Sequence, residues 1–322
     1  MSFVITAVGL FVLFLIAVNT GSLKVTPTEL VEGLFLEYNE NVATIYDLRF
    51  PRIFIAMLGG AAMAVSGVLL QAVMKNPLAD PGIIGISSGA SLAAVLITAF
   101  FPQLFFFTPL FAFIGGMIAF ALVYTLSYHN GLSPLRIILV GVAVNAMFTG
   151  LMSAFNAGTG SNFSGVASIV NANITMKTWD DFNTLFMYAV VGLIISLFVT
   201  NQCNLLQLED KTARSLGVNV TRSRIVISVI AVLLAGISTA VIGPISFLGL
   251  IVPHIARLLV GSNHKLLIPY SALLGAFTFL LADTVGRTIA YPFEISASVI
   301  MAVVGGPFFI LLLRRSKNNY GG

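Results

Sequence analysis

Ten runs of apolar residues, separated by short polar connections, organise this sequence: 1–19, 52–74, 83–101, 105–127, 135–157, 183–201, 223–243, 245–261, 266–287 and 295–313. Most are too long for a barrel strand, and none alternates strictly between apolar and polar positions. Lipid offers no hydrogen-bond partners, so each run must pair its own backbone groups, which makes every one a helix. A helical span takes about 20 apolar residues. The predicted fold is therefore an all-α integral membrane protein, a polytopic bundle of about ten transmembrane helices in which residues 1–322 form a single transmembrane domain. The run at 245–261 follows Gly243-Pro244 and contains Pro253, so a tilted, broken or partly re-entrant element is expected there. The first run has neither a basic leading region nor a small-residue cleavage site, and it reads as a span rather than a removable signal.

Composition sharpens this picture. The chain is 58% hydrophobic and 9% charged, with a mean hydropathy of +1.01, whereas soluble domains carry about 25% charged residues. The basic residues also set an orientation. With the N-terminus inside, Lys75, Arg136, Lys211, Arg214, Arg222, Arg224, Arg257, Lys265, Arg314, Arg315 and Lys317 fall on the cytoplasmic side. Lys24, Arg49, Arg52, Lys177 and Arg287 fall outside, giving 11 against 5 of the 16. Both termini are thus expected in the cytoplasm of a multi-pass cell-membrane protein. Glu29, Glu32, Glu37, Glu40, Asp47, Asp180, Asp181 and Glu294 all fall on the outer side. The net charge of +4 fits either an anionic partner or basic residues at cytoplasmic helix ends.

Candidate chemistry is sparse. One cysteine, Cys203, rules out an internal disulfide, and His129, His254 and His264 form no metal-ligand spacing. There is no phosphate-binding GxxxxGK[ST] loop, no HExxH and no CxxC, so no enzyme activity, cofactor or bound metal is expected. If ATP drives transport, another polypeptide hydrolyses it. The small residues of 59–62, 66–67, 85–91 and 305–306 suit close helix packing, and equally helices that slide past one another. Asp283 and Arg287 lie one helical turn apart in a span, either as a structural pair or with Arg287 facing a partner. Arg49 and Arg52 flank Pro51 on the outer side, against the general charge bias. They either snorkel to the interface or dock an acidic protein. The connection QCNLLQLEDKTARSLGVNVT at 202–221 reads as a short amphipathic cytoplasmic helix or as a solvated loop.

A set of segments then bears a combined resemblance: LRFPR at 48–52, GGAAMAVSGVLLQ at 59–71, NPLADPGIIGISSGAS at 76–91, ARSLGV at 213–218, GPISFLGLIVPHIAR at 243–257, LLADTVGR at 280–287 and GGPFF at 305–309. The sequence resembles the FecCD/BtuC-type permeases of iron-siderophore, haem and cobalamin importers from about Thr26 to Arg315. Within them it is most similar to Gram-positive haem and siderophore permeases. The resemblance implies a type II ABC importer permease with ten spans. It also implies a second permease copy or paralogue, cytoplasmic ATP-binding subunits and an extracytoplasmic substrate-binding lipoprotein. It assigns binding-protein docking to Arg49, Arg52 and Arg287. ATPase coupling falls to Ala213, Arg214, Ser215, Leu216 and Gly217, within a segment at about 203–221. The cytoplasmic gate falls to Asn76 and Leu78, and pathway lining to Asn145, Met147 and Met152. The expected cargo is a ferric siderophore or haem, with cobalamin as the alternative. An ion-coupled transporter using Asp283 is a further reading from the residues. The family's E-x-P-x-G after the ninth helix is missing: Glu294 is followed by Ile295-Ser296-Ala297-Ser298. A rigid bend before the last helix is therefore not encoded by proline.

Overall fold

The computed structural model describes residues 1–21, 25–36, 38–127, 134–159 and 166–320, with side chains at the C-terminal end described as far as 312. Lys24, Glu37 and His129 lie outside the described residues, as do the side chains of Arg314, Arg315 and Lys317. All regular structure among the described residues is helical: α1 (Ser2–Asn19), α2 (Pro27–Phe35), α3 (Glu40–Leu48), α4 (Phe50–Met74), α5 (Ile86–Phe100), α6 (Thr108–Ser127), α7 (Pro134–Thr159), α8 (Val166–Val170), α9 (Trp179–Phe198), α10 (Thr200–Leu206), α11 (Asp210–Ser215), α12 (Val220–Ile242), α13 (Leu248–Val260), α14 (His264–Thr288) and α15 (Ala297–Tyr320). A 3₁₀ turn, Pro102–Phe107, precedes α6.

Ten of these helices coincide with the ten apolar runs. Seven are long and apolar enough to cross a membrane, while α5, α13 and the apolar part of α15 are shorter. The chain is a multi-pass membrane protein. The short run at 245–261 is the 13-residue α13, with Pro253 inside it and Gly261 at positive φ closing it. Helix α9 starts at Trp179, four residues before its apolar run. Asp181 reaches back to accept from the backbone N–H of Thr178 at 3.0 Å, which satisfies a donor that the helix itself leaves open. The 203–221 segment is neither one helix nor a bare loop. It comprises most of α10, all of α11 and the turn into α12, with Cys203, Leu206 and Ala213 buried.

Helix α4 is the axis of the bundle. It is buried on every side, from Phe50 to Met74 with few exceptions, so its residues are apolar or small all round rather than along one stripe. Two glycines set how closely its neighbours approach. A Cβ on Gly60 would sit 2.5 Å from the Gly275 carbonyl of α14, and one on Gly67 would collide with the backbone of Gly249 in α13. Lipid gives no hydrophobic drive between helices, so contact at this range is what holds them by dispersion. The large apolar side chains left outside, such as Phe11 on α1, Leu139 on α7, Val191 on α9 and Val303 on α15, belong to faces that meet lipid or another chain.

Candidate functional site

Charged residues gather at the two ends of α4, roughly 37 Å apart at 1.5 Å per residue. At its N-terminal end, Pro51 sits in the first turn, where its missing N–H leaves nothing unsatisfied. The turn carries Arg52 inward toward α14. Arg52 Nη2 donates to Asp283 Oδ1 at 2.8 Å, its Nε lies 3.1 and 3.2 Å from the two carboxylate oxygens, and its Nη1 donates to Glu294 at 2.8 Å. Arg287, one turn along α14, places Nε 3.2 Å from Asp283 Oδ2 and donates from Nη1 to the Ala17 carbonyl at 3.3 Å. Arg49 donates to the Val18 carbonyl. Arg52, Asp283 and Arg287 are only 6, 1 and 8% exposed. A buried cation is tolerated only when it is paired and hydrogen-bonded; Asp283 supplies both for Arg52 and a charge partner for Arg287, whose Nε and Nη2 make no hydrogen bond.

The three arginines converge around one cavity of about 360 Å³ that Tyr291 and Glu294 also line. Among the described residues, the carboxylates that pair with Arg52 and Arg287 are those of Asp283 and Glu294. The i,i+4 pair between Asp283 and Arg287 exists, but the more fully hydrogen-bonded partner is Arg52, 231 positions away. Glu294 was not among the candidate residues. It accepts from Arg52 and, at 2.8 Å, from the Thr175 hydroxyl. Burial raises its carboxyl pKa, but those two hydrogen bonds and the arginine charges outweigh it and hold the group below its ordinary range. The segment lacking the proline and glycine of E-x-P-x-G is positioned instead by a hydrogen bond from the Ile295 N–H to the Gly286 carbonyl at 3.0 Å. Gly286 has no room for a Cβ against Ile295.

At the other end, α4 stops at Lys75, whose backbone is left-handed (φ 49°). Asn76, buried, accepts from the Leu78 N–H at 3.0 Å and closes the turn. Asp80, fully buried, accepts from the N–H groups of Gly82 and Ile83 at 2.8 and 3.0 Å. Gln71 Nε2 donates to the carbonyls of Ala79 and Gly249, which locks the turn to the start of α13. Lys75 reaches outward: its ammonium donates to Asp210 Oδ1 at 2.8 Å and to the Leu208 carbonyl, while Arg224 of α12 donates to the same Asp210 oxygen at 2.9 Å. The hydrogen bond from Lys75, with the charge of Arg224, holds Asp210 below the ordinary carboxylate range. Lys75, Asp210 and Arg224 thus join the Asn76–Leu78 turn to α11 and α12. Motif reading missed this link because its members are ordinary charged residues in separate connections. On α11 and its following turn, Ala213 is buried while Arg214, Ser215, Leu216 and Gly217 are exposed, with Gly217 at φ +82°. The pathway trio is divided: Met147 is exposed, Asn145 half-buried, and Met152 packs in a buried cluster with Ala90 and Ala94 of α5.

Among the described residues, no group of three or more His, Cys, Asp or Glu side chains is placed to hold a metal ion. A model of the FecCD transport family matches residues 9–315. The chain belongs to the FecCD transport family. This FecCD chain is 42% identical over 300 residues to "Probable heme-iron transport system permease protein IsdF" of Staphylococcus aureus, covering 93% of this chain and 91% of the relative. It also superposes, with a TM-score of 0.76 and 28% identity, on a solved chain described as an inward-facing conformation of a metal-chelate type ABC transporter, covering 96% of this chain and 97% of the other. A chain from the PsaBC–Fab complex of Streptococcus pneumoniae shares the fold, with a TM-score of 0.57, 15% identity and coverage of 89% and 95%.

Proposed function

We propose that this FecCD protein is the membrane permease of an ABC importer that carries haem-iron across the cytoplasmic membrane, powered by ATP hydrolysis on a partner subunit. The observation that supports the cargo is the 42% identity to the haem-iron permease across nearly the whole length of both chains. In this reading the α4 end with Arg49, Arg52 and Arg287 faces outward and receives acidic side chains of a substrate-binding protein. The arginine charges steer the encounter. An incoming carboxylate competes with Glu294, the more exposed of the two resident acids at 38%. The α11 segment with Leu216 and Gly217 contacts the ATPase, and the Lys75–Asp210–Arg224 link transmits its displacement to the Asn76–Leu78 gate. A second permease, a copy or a paralogue, covers exposed apolar faces and completes the pathway. Rigid shifts between outward-open and inward-open states follow from this arrangement.

Asp283 is fully committed to Arg52 and Arg287, so its role in this reading is structural rather than ion-coupling. The test is ATP-dependent accumulation of labelled haem, a ferric siderophore and cobalamin by the permease reconstituted with its ATPase and binding protein. Haem accumulation is the expected result. Accumulation of the siderophore or cobalamin instead reassigns the cargo, and accumulation without the ATPase refutes the mechanism.

A further inference from the structure

A cavity of about 270 Å³ lies beside the Asn76 turn, between the C-terminal end of α4, α10, α13 and the start of α14. Its walls hold an unusual set of unpartnered polar atoms. Asn76 and His264 are 3 and 2% exposed, yet Asn76 Nδ2 and His264 Nε2 have no hydrogen-bond partner. Arg257 Nη1 is likewise buried without one. Buried donors are nearly always satisfied, and among the described residues no carboxylate pairs with the half-buried Arg257. Lys75 also lines the cavity, its charge shared with Asp210, and none of the described lining residues is acidic. Arg257 and His264 line the same cavity. One acceptor in the same wall is also unpartnered: Gln71 Oε1. Its orientation is fixed, because its amide nitrogen is committed to two carbonyls.

Asn76 Nδ2 and Arg257 Nη1 are donors on two separate elements and call for an oxyanion with several acceptor oxygens; His264 Nε2 donates or accepts according to its tautomer, since Nδ1 faces both Gln207 Nε2 and Asn204 Oδ1. The Gln71 oxygen calls for a ligand that also donates. A carboxylate meets the first requirement and not the second. A phosphate bearing a hydroxyl meets both. We infer that this cavity is a phosphate-binding site, filled by inorganic phosphate or by the headgroup of an anionic lipid such as phosphatidylglycerol. The inference rests on the orientation proposed above, which puts this end of α4 in the cytoplasm. Occupancy ties α13 and α14 to the gate turn, since Arg257, His264 and Asn76 grip the same group.

The experiment uses the assembled transporter in phosphatidylcholine nanodiscs, with radiolabelled inorganic phosphate and thermal melting as readouts. Sulfate and chloride at matched ionic strength serve as controls. Phosphate is expected to bind and to raise the melting temperature, and Arg257→Gln is expected to weaken its apparent affinity at least tenfold. Asn76→Asp places a fixed carboxylate against Arg257 and His264. It is expected to abolish the phosphate response and to melt above wild type in phosphate-free buffer, a gain that a merely damaged fold does not produce. If the lipid is the occupant, discs containing phosphatidylglycerol stabilise wild type without added phosphate and abolish its further effect. If free phosphate is the occupant, that effect persists in them. Absence of any response to either probe overturns the inference, as does an unchanged response in folded Arg257→Gln. Binding seen only after the ATPase is removed also overturns it, in favour of a partner's acidic side chain. Because the readout is independent of cargo, failed haem accumulation alongside an intact phosphate response counts against the cargo assignment alone.

Discussion

Replacing Asp283 with leucine removes the carboxylate on which both Arg52 and Arg287 depend. The two side chains of the main pair are 7 and 1% exposed, so solvent offers little compensation. Removing one partner of a buried ion pair costs about 3–5 kcal/mol, because the remaining charge is left without hydrogen bonds in a low-dielectric site. Glu294 still reaches Arg52 at 2.8 Å, which places the expected loss near about 3 kcal/mol. The double variant Asp283→Leu with Arg52→Leu leaves only Arg287 stranded. It is expected to lose less than the sum of the single changes, with a coupling of about 1–3 kcal/mol. Reversible unfolding of the purified protein by detergent titration, monitored by circular dichroism, measures all four corners of the cycle. A single variant within about 1 kcal/mol of wild type, or strict additivity, would refute the claim that Asp283 compensates the buried arginines.

Four further outcomes are expected. Arg49→Glu reverses a charge at the rim of the arginine-lined cavity. It should weaken binding-protein docking at least tenfold while leaving assembly with the ATPase intact, measured by surface-immobilised binding. Gly67→Val should destabilise the bundle by about 1–3 kcal/mol or more, because the added carbons meet the rigid Gly249 backbone and no flexible side chain; a melting temperature equal to wild type would reject that contact. Cys203 is buried with its thiol pushed up to about 12, so maleimide labelling at neutral pH should be slow and should accelerate on unfolding; rapid labelling of the native protein contradicts this placement. Asp210→Asn should raise ATP hydrolysed per cargo moved. The native link should hold above the ordinary carboxylate range and weaken only as pH falls below about 4, since a depressed carboxyl pKa contributes where the group is ionised and loses its effect on protonation. Unchanged coupling in the variant counts against the relay.

The ten helices were legible in the sequence because lipid enforces one rule everywhere: an apolar run must satisfy its own backbone. Their ends were less so. The start of α9 depends on Asp181 reaching back to Thr178, and the 203–221 segment divides into helices whose buried residues, Cys203 and Ala213, carry no local signal of burial. The arginines of the LRFPR and LLADTVGR segments stood out as charges in an apolar chain. Their partners could not be read the same way. Periodicity links Asp283 only to Arg287, whereas the better-bonded pairing with Arg52 spans 231 positions and exists because Gly60 and Gly275 let α4 and α14 touch. Glu294, Asp210 and the walls around Arg257 and His264 share that property. Hydropathy is additive along the chain, so sequence alone determines which segments enter the membrane. Ion pairing and cavity formation depend on distances between segments, and only the packed bundle decides those.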